Sequence, residues 1–304
     1  MSEPSIVPTA RDRLGATGAW LGSLAFASAA EGAAAAREVE RLGYGALWFG
    51  EPPMGKEAYV HAALLLGATE RIVVATGIAN IWARDARATV NATEALGEAH
   101  PERFLLGLGV SHAPLVNMRG HAYARPLAAM SAYLDGMAEA QQGYRGPSAA
   151  PPVPVVLAAL RPKMVELARD RTAGAHPYLV TPEHTARTRA LLGADPLLAP
   201  EQAVVVESDP ALAREVARDH LKLYLELPNY TRNLETLGFD SSDFADGGSD
   251  RLVDALVAWG DAETVAAKVA AHRDAGADHV ALQPLAPTVQ GQLEQLRELA
   301  PLLA

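Results

Sequence analysis

The chain's 304 residues include 36 Asp and Glu against 26 Lys and Arg, a formal net charge of −10, with 49% hydrophobic residues and no cysteine. That apolar content excludes a disordered chain, and the acidic balance argues against nucleic-acid or anionic-membrane binding, since either needs a basic face. Without cysteine there is no disulfide framework, thiolate zinc site, iron–sulfur cluster or cysteine nucleophile.

The N-terminal stretch MSEPSIVPTARDRLG is polar and Pro-bearing, and no run reaches the ~20 apolar residues of a membrane span, so a soluble cytoplasmic protein is expected. Short β-type runs then alternate with helical ones. A strand is predicted over 19–22 and a helix over 29–42, closed by Gly43. A second strand over 46–49 leads through Glu51-Pro52-Pro53 to a helix near 56–68. The third strand, 71–76, is followed by a helix near 85–99, and the fourth, 104–110, by a helix near 124–142. Residues 153–158 read as a fifth strand, with Arg161-Pro162 opening a helix near 163–173. A sixth strand over 175–180 runs to Pro182 at a helix start, where its missing N–H costs nothing. The seventh strand is 202–206 and the eighth 277–282, with a closing helix near 288–300.

Eight strand signals, each followed by a helical segment with no composition break, predict one α/β domain over 1–304, a (β/α)8 TIM barrel. The long gap between strands 7 and 8 predicts a helical insertion, about 207–260, with a Gly/Asp/Ser loop that can act as a lid.

In such a barrel the chemistry sits just past the strands' C-terminal ends. That rule selects Glu51, the 77–84 segment, Ser111-His112, Leu160-Arg161, Thr181 and Gln283-Pro284. No His-x-His pair occurs, and Lys56, Lys163, Lys222 and Lys268 fall in helical or loop segments. A metal-dependent hydrolase and a Schiff-base aldolase are therefore set aside and no metal site is expected. So few strong catalytic groups fit an enzyme whose reactive atom belongs to a cofactor. Gly107-Leu108-Gly109-Val110-Ser111 lets backbone approach a ligand, or packs a helix tightly on its strand. Glu51 can equally cap the helix that follows it, and Arg84 can pair with Asp85 or Glu51.

Two segments, 76–84 (TGIANIWAR) and 103–111 (RFLLGLGVS), resemble the luciferase-like monooxygenase superfamily, most closely its coenzyme F420-dependent oxidoreductase branch. Residues 40–48 (ERLGYGALW) are similar to that family's first helix–strand unit. Residues 260–265 (GDAETV) and 274–280 (DAGADHV) are similar to its closing one. The resemblance covers nearly the whole chain. It implies a TIM barrel with an insertion, a flavin or deazaflavin at the C-terminal mouth, and a non-proline cis peptide at Gly77–Ile78.

Carried over residue by residue, it implies that Glu51 lies beside the ring and that Thr76, Gly77, Ile78, Ala79 and Asn80 run along its back face. Gly109, Val110 and Ser111 would approach the ribityl chain or phosphate, and His112 takes the place of an acid in some deazaflavin sugar dehydrogenases. Ala158, Ala159, Leu160 and Arg161 align with a phosphate-holding segment that is often Ala-Gly-Gly. Here Leu160 and Arg161 replace the glycines, so Arg161 would supply a charged fork in place of a backbone cradle.

The expected function is hydride transfer between F420 and a small neutral organic substrate, with Glu51 and His112 sharing the proton step. An FMN-dependent two-component monooxygenase using oxygen is the alternative, and a ligand-binding barrel without turnover the third. A homodimer is expected through the helices after the second and third strands, the latter rich in small residues (Ala86, Ala88, Ala92, Ala95, Gly97).

Overall fold

A computed structural model describes residues 6–304. The strands are β1 (Thr17–Trp20), β2 (Ala46–Phe49), β3 (Val73–Thr76), β4 (Ala79–Asn80), β5 (Phe104–Gly109), β6 (Val155–Leu157), β7 (Gly174–Ala175), β8 (Leu197–Leu198), β9 (Glu201–Val206), β10 (Val257–Gly260) and β11 (Val280–Pro284). The helices are α1 (Ile6–Leu14), α2 (Ala29–Arg41), α3 (Ala58–Ala68), α4 (Ala86–Ala99), α5 (Ala113–Met118), α6 (Pro126–Gly143), α7 (Pro162–Arg171), α8 (Pro182–Leu192), α9 (Pro210–Leu225), α10 (Pro228–Glu235), α11 (Asp250–Leu256), α12 (Ala262–Asp274) and α13 (Val289–Leu303).

Every strand pair is parallel, in the order β10-β9-β11-β1-β2-β3-β5-β6-β7-β8. The run 197–206 closes this sheet into a ring. Ala199 N donates to Ala175 O on one side, and Asp278 N donates to Leu198 O on the other, both at 2.9 Å. Pro200 has no N–H to give, so the run bends there and is split into β8 and β9. The architecture is the expected (β/α)8 barrel. Helical return segments are obligatory because parallel strands cannot be joined by tight turns.

The differences from the sequence reading are local. The 207–260 segment carries α9, α10 and α11, but it also ends in a strand, β10, paired to β9 with Val257 beside Ala203. A four-residue apolar run is too short for periodicity to separate strand from helix. The sixth strand stops at Ala175 instead of 180, because Pro177 breaks the ladder and Leu179 turns into the left-handed region at φ 58°. The first strand begins two residues early, at Thr17, and Gly22 already opens a 3-10 turn. Helix α5 follows the fourth predicted strand without having been expected.

Inside the ring, Trp48 is fully buried and organises two histidines. Its indole stacks on His176 with ring centroids 4.3 Å apart. Its Nε1–H donates to His279 Nε2 at 3.0 Å, which leaves His279 Nδ1–H to donate to Gly15 O, also at 3.0 Å. His279 is thus held as one neutral tautomer. Gly18 is required beside it, since a Cβ there would lie 2.7 Å from His279 Nε2.

Burial pushes His176 and His279 each down to about 4. In the unfolded chain an imidazole titrates near ~6.5. Both therefore contribute stability that is fully present above about pH 6.5 and is lost as pH falls from there toward 4. Thermal melts should show Tm falling between pH 6.5 and 4.5. A His279→Gln variant should melt lower at pH 7 and show a shallower fall. A Tm that stays flat down to pH 4.5 would refute this account.

Candidate active site

The third barrel strand carries one extra residue where it reaches the mouth. Ala75 pairs with Leu105 and Ala79 pairs with Leu108, so four steps along one strand match three along the other. The chain accommodates this bulge between Thr76 and Ala79, and the Gly77–Ile78 bond within it is cis. Thr76 replaces the lost ladder bonds with its hydroxyl, which donates to Gly107 O at 2.8 Å and accepts from Gly107 N at 2.9 Å. Ile78 is pushed toward β5, and a Cβ on Gly109 would lie 2.5 Å from Ile78 Cγ1. The glycine in Gly109 is thus what lets the Ile78 side chain settle over the strand end.

Glu51 braces this bulge. Its side chain is only 2% exposed and accepts from Asn80 N at 2.8 Å and Ala58 N at 3.3 Å. Arg84 grips both carboxylate oxygens, its Nη2 on Oε1 and its Nη1 on Oε2 at 3.1 Å. The Arg84 guanidinium also reaches Glu57 at 2.7 Å and lies 4.7 Å over the Tyr59 ring. Two backbone donors and a forked guanidinium together occupy the acceptor positions of this carboxylate. This geometry corrects the expected proton-donor role. Glu51 lines the pocket, but its oxygens are committed to holding β4 and the α3 start in place.

The pocket at the mouth measures about 370 Å³. Of the residues singled out from the sequence, it brings together Glu51, Gly77, Ile78, Gly109, Val110, Ser111, His112, Ala158, Ala159 and Leu160. Thr76, Ala79 and Asn80 are buried behind this wall and only support it. Arg161 is the exposed N-cap residue of α7, outside the pocket lining. The back-face contact expected of 76–80 therefore narrows to Gly77 and Ile78, because the bulge turns its neighbours away.

His112 is mostly buried, with its ring 5.5 Å from the Tyr230 ring, and it is the N-cap residue of α5 without making a side-chain cap bond. Burial pushes its pKa down, so it is neutral at pH 7. Ser111 before it sits at φ 58°. His176 donates Nδ1–H to Ala199 O at 2.6 Å, leaving Nε2 without a partner against Gly77.

Helix capping varies around the barrel. Helices α2, α3, α4, α8, α9, α11, α12 and α13 each have an N-cap side chain accepting from a backbone N–H. Helices α5, α6, α7 and α10 have none, and each carries proline in its first two positions; the N-cap or neighbouring residues of α5, α7 and α10 line the pocket, and those of α6 do not. Their orphan N–H groups and positive dipole ends are left for other partners. Among the described residues, no cluster of three or more His, Asp or Glu could hold a metal ion.

Sequence reasoning missed the other half of the pocket: Trp20, Phe26, Tyr178, Leu223, Tyr224, Leu227, Asn229 and Tyr230. Trp20 ends β1, and Tyr178 follows β7, so the strand-end rule applied to observed strand boundaries would have found them. The residues of α9 and α10 carry no local signal beyond membership of the insertion.

Two substitutions test the clamp and the shelf. Glu51→Gln replaces an acceptor pair by one acceptor and one donor facing Arg84, and breaking such a pair costs about 3–5 kcal/mol. Differential scanning calorimetry should show Tm lowered by about 5 °C or more. Gly109→Ala should leave Tm within a few degrees but displace Ile78, and a crystal structure of the variant should show that side chain moved. An unchanged Tm for Glu51→Gln would return Glu51 to the proton-donor reading.

A match to the family "Luciferase-like monooxygenase" spans residues 7–279. The curated 5,10-methylenetetrahydromethanopterin reductase of Methanolobus tindarius is 26% identical over 207 residues, 60% of this chain, which spans 64% of that relative's length. Among solved structures, the coenzyme F420 dependent tetrahydromethanopterin reductase from Methanopyrus kandleri superposes with TM-score 0.78 at 16% identity, over 96% of this chain and 100% of that one. An F420-dependent secondary alcohol dehydrogenase in complex with an F420-acetone adduct gives 0.73 at 15% identity, over 95% and 99%. The oxygenating constituent of the Pseudomonas putida 3,6-diketocamphane monooxygenase, in complex with FMN, gives 0.70 at 14%, over 95% and 98%. The family match spans most of the chain, and the chain belongs to the luciferase-like monooxygenase family.

Proposed function

We propose that this protein transfers a hydride between deazaflavin F420 and a small neutral organic substrate at the mouth of the barrel. The observation that carries the reading is one pocket with an apolar shelf, Ile78 between Gly77 and Gly109, beside three uncapped helix starts. The shelf suits a planar ring. The α5 and α7 starts, with Arg161 at the latter, suit the anionic tail that the ring carries. When bound, the deazaflavin supplies a two-electron hydride donor or acceptor. F420-dependent proteins stand among the relatives in structure, and so does an FMN-bound monooxygenase. FMN is therefore the second reading.

The chain's own residues then divide the work. Glu51 and Arg84 hold the bulge that carries Ile78. Ser111 and the α5 and α7 N-termini bind phosphate. His112, neutral and against Tyr230, accepts or returns the proton that accompanies hydride movement. The roof from α9 and α10 excludes water. No helix among the described residues is long and apolar enough to cross a membrane. Our reading takes the protein as a cytoplasmic homodimer, and its net charge of −10 argues against nucleic-acid partners. Helix α3 presents Val60 and Leu64 to solvent, 61% and 45% exposed, on the face offered to a second copy.

Side-by-side titration with F420 and FMN tests the assignment. Saturable binding of F420 with weaker binding of FMN is expected, and the reverse order would favour the monooxygenase reading. Binding of neither would leave a barrel without this chemistry. With F420 and a true substrate, activity should fall on the acid side with a midpoint below ~6.5, as His112 gains a proton. His112→Gln should cut turnover by roughly 10²-fold and remove that limb. Light scattering should give twice the 32.0 kDa chain mass.

A further inference from the structure

The roof of the pocket contains a hydrogen-bond chain that the hydride reading does not use. Tyr178, which follows β7, donates its hydroxyl hydrogen to Gln283 Oε1 at 2.8 Å. Gln283 lies on β11 and is buried. Tyr178 and Tyr224 hydroxyls stand 3.0 Å apart, and both residues line the pocket; His220 Nε2 stands 3.4 Å from the Tyr178 hydroxyl and, as the Nε2–H tautomer, donates to its other lone pair. A phenol has one hydrogen. With the Tyr178 hydrogen committed to Gln283, the hydrogen between the two tyrosines comes from Tyr224. The Tyr224 oxygen then has no hydrogen left for a ligand and a lone pair free to accept.

The surroundings specify what it accepts from. Among the described residues, no lysine or arginine lines the pocket, and the one lining carboxylate, Glu51, is occupied by Arg84. Apart from the α5 and α7 starts, which the hydride reading gives to the cofactor's tail, a carboxylate or phosphate group on the substrate would find no counter-charge here. Phe26 and Leu223, at 67% and 62% exposed, line the same pocket and offer apolar surface to the substrate's body. Burial pushes Tyr178 up and Tyr224 up to about 12, so both hydroxyls keep their hydrogens at neutral pH.

We propose that Tyr224, oriented through Tyr178 by Gln283, is the group that binds the substrate's oxygen, and that it selects a neutral hydroxyl on an apolar molecule. This rests on the pocket being the substrate site of the hydride reading and deepens it by naming the substrate's polar group. Tyr224 holds the hydroxyl hydrogen of the bound substrate, and that same hydrogen passes to His112 only as the hydride leaves; Tyr178 and Gln283 are positioning residues. Removing Gln283 frees the Tyr178 hydrogen to turn toward Tyr224. Tyr224 can then donate into the pocket, where it binds a carbonyl.

Calorimetric titration of the protein with cyclohexanol, cyclohexanone and cyclohexanecarboxylate tests this without any cofactor. The carboxylate should bind at least tenfold more weakly than the alcohol. Tyr224→Phe should weaken cyclohexanol about fivefold, the worth of one neutral hydrogen bond, with little change in Tm. Gln283→Met should lower the cyclohexanol-to-cyclohexanone affinity ratio at least threefold, an effect that simple loss of packing would not produce. Tyr178→Phe, which keeps the ring, should lower it in the same direction. An unchanged cyclohexanol affinity in Tyr224→Phe, or an unchanged ratio in both Gln283→Met and Tyr178→Phe, overturns the proposal. F420 and FMN titrations of the same variants keep the two readings apart. Tyr224→Phe silent toward cyclohexanol in a protein that binds F420 sinks this inference alone. The expected alcohol pattern in a protein that binds neither cofactor sinks the hydride reading alone.

Discussion

The mouth of this barrel depends on one buried ion pair. Arg84 and Glu51 meet across the end of the second and third strands, and the same carboxylate takes the backbone N–H groups of Asn80 and Ala58. An extra residue in a parallel strand leaves backbone groups without ladder partners, and a barrel strand cannot bend away without opening the ring. Glu51 on one side and the Thr76 hydroxyl on the other supply the missing partners. The bulge is then held at a fixed height, Ile78 is raised over Gly109, and the pocket has a floor. A salt bridge that is a weak source of net stability is here a strong source of position.

The same division between structure and site recurs in the helix starts. At most helix starts, including that of α3 beside the Arg84 clamp, local Ser, Thr, Asp and Glu side chains satisfy the first N–H groups. At the mouth the N-cap positions are His112, Arg161 and Leu227, none of which makes a cap bond. Leaving N–H groups uncapped costs about 1 kcal/mol per helix and is compensated when a ligand occupies them. The interior is treated differently again. Trp48 contacts two of the buried histidines, His176 and His279, and burial keeps both neutral, so neither carries charge into the barrel axis.

The alternation of strand and helix, the closed barrel and the position of the insertion were legible in the sequence. They rest on periodicity and chain order, which are local properties. So were the residues directly after the well-marked second, fourth and fifth strands, since the strand-end rule needs only a strand boundary. Where the boundary was misread, the rule failed with it: the sixth strand stops at Ala175, and Tyr178 was then not recognised as a pocket residue.

What the sequence by itself determined is the barrel, its family and the side of it that carries the chemistry, because hydrophobic pattern and motif order are written along the chain. What only the tertiary structure decided is which groups are free to act. Glu51 reads as an acid until Arg84, 33 residues away along the chain, takes both its oxygens. Tyr224 reads as one more helical residue until Tyr178 and Gln283, 46 and 105 residues apart from their partners in sequence, settle which atom gives the hydrogen. A hydrogen bond consumes a donor or an acceptor, and its partner can come from any point on the chain, so the chemistry left over is known only once the chain has folded.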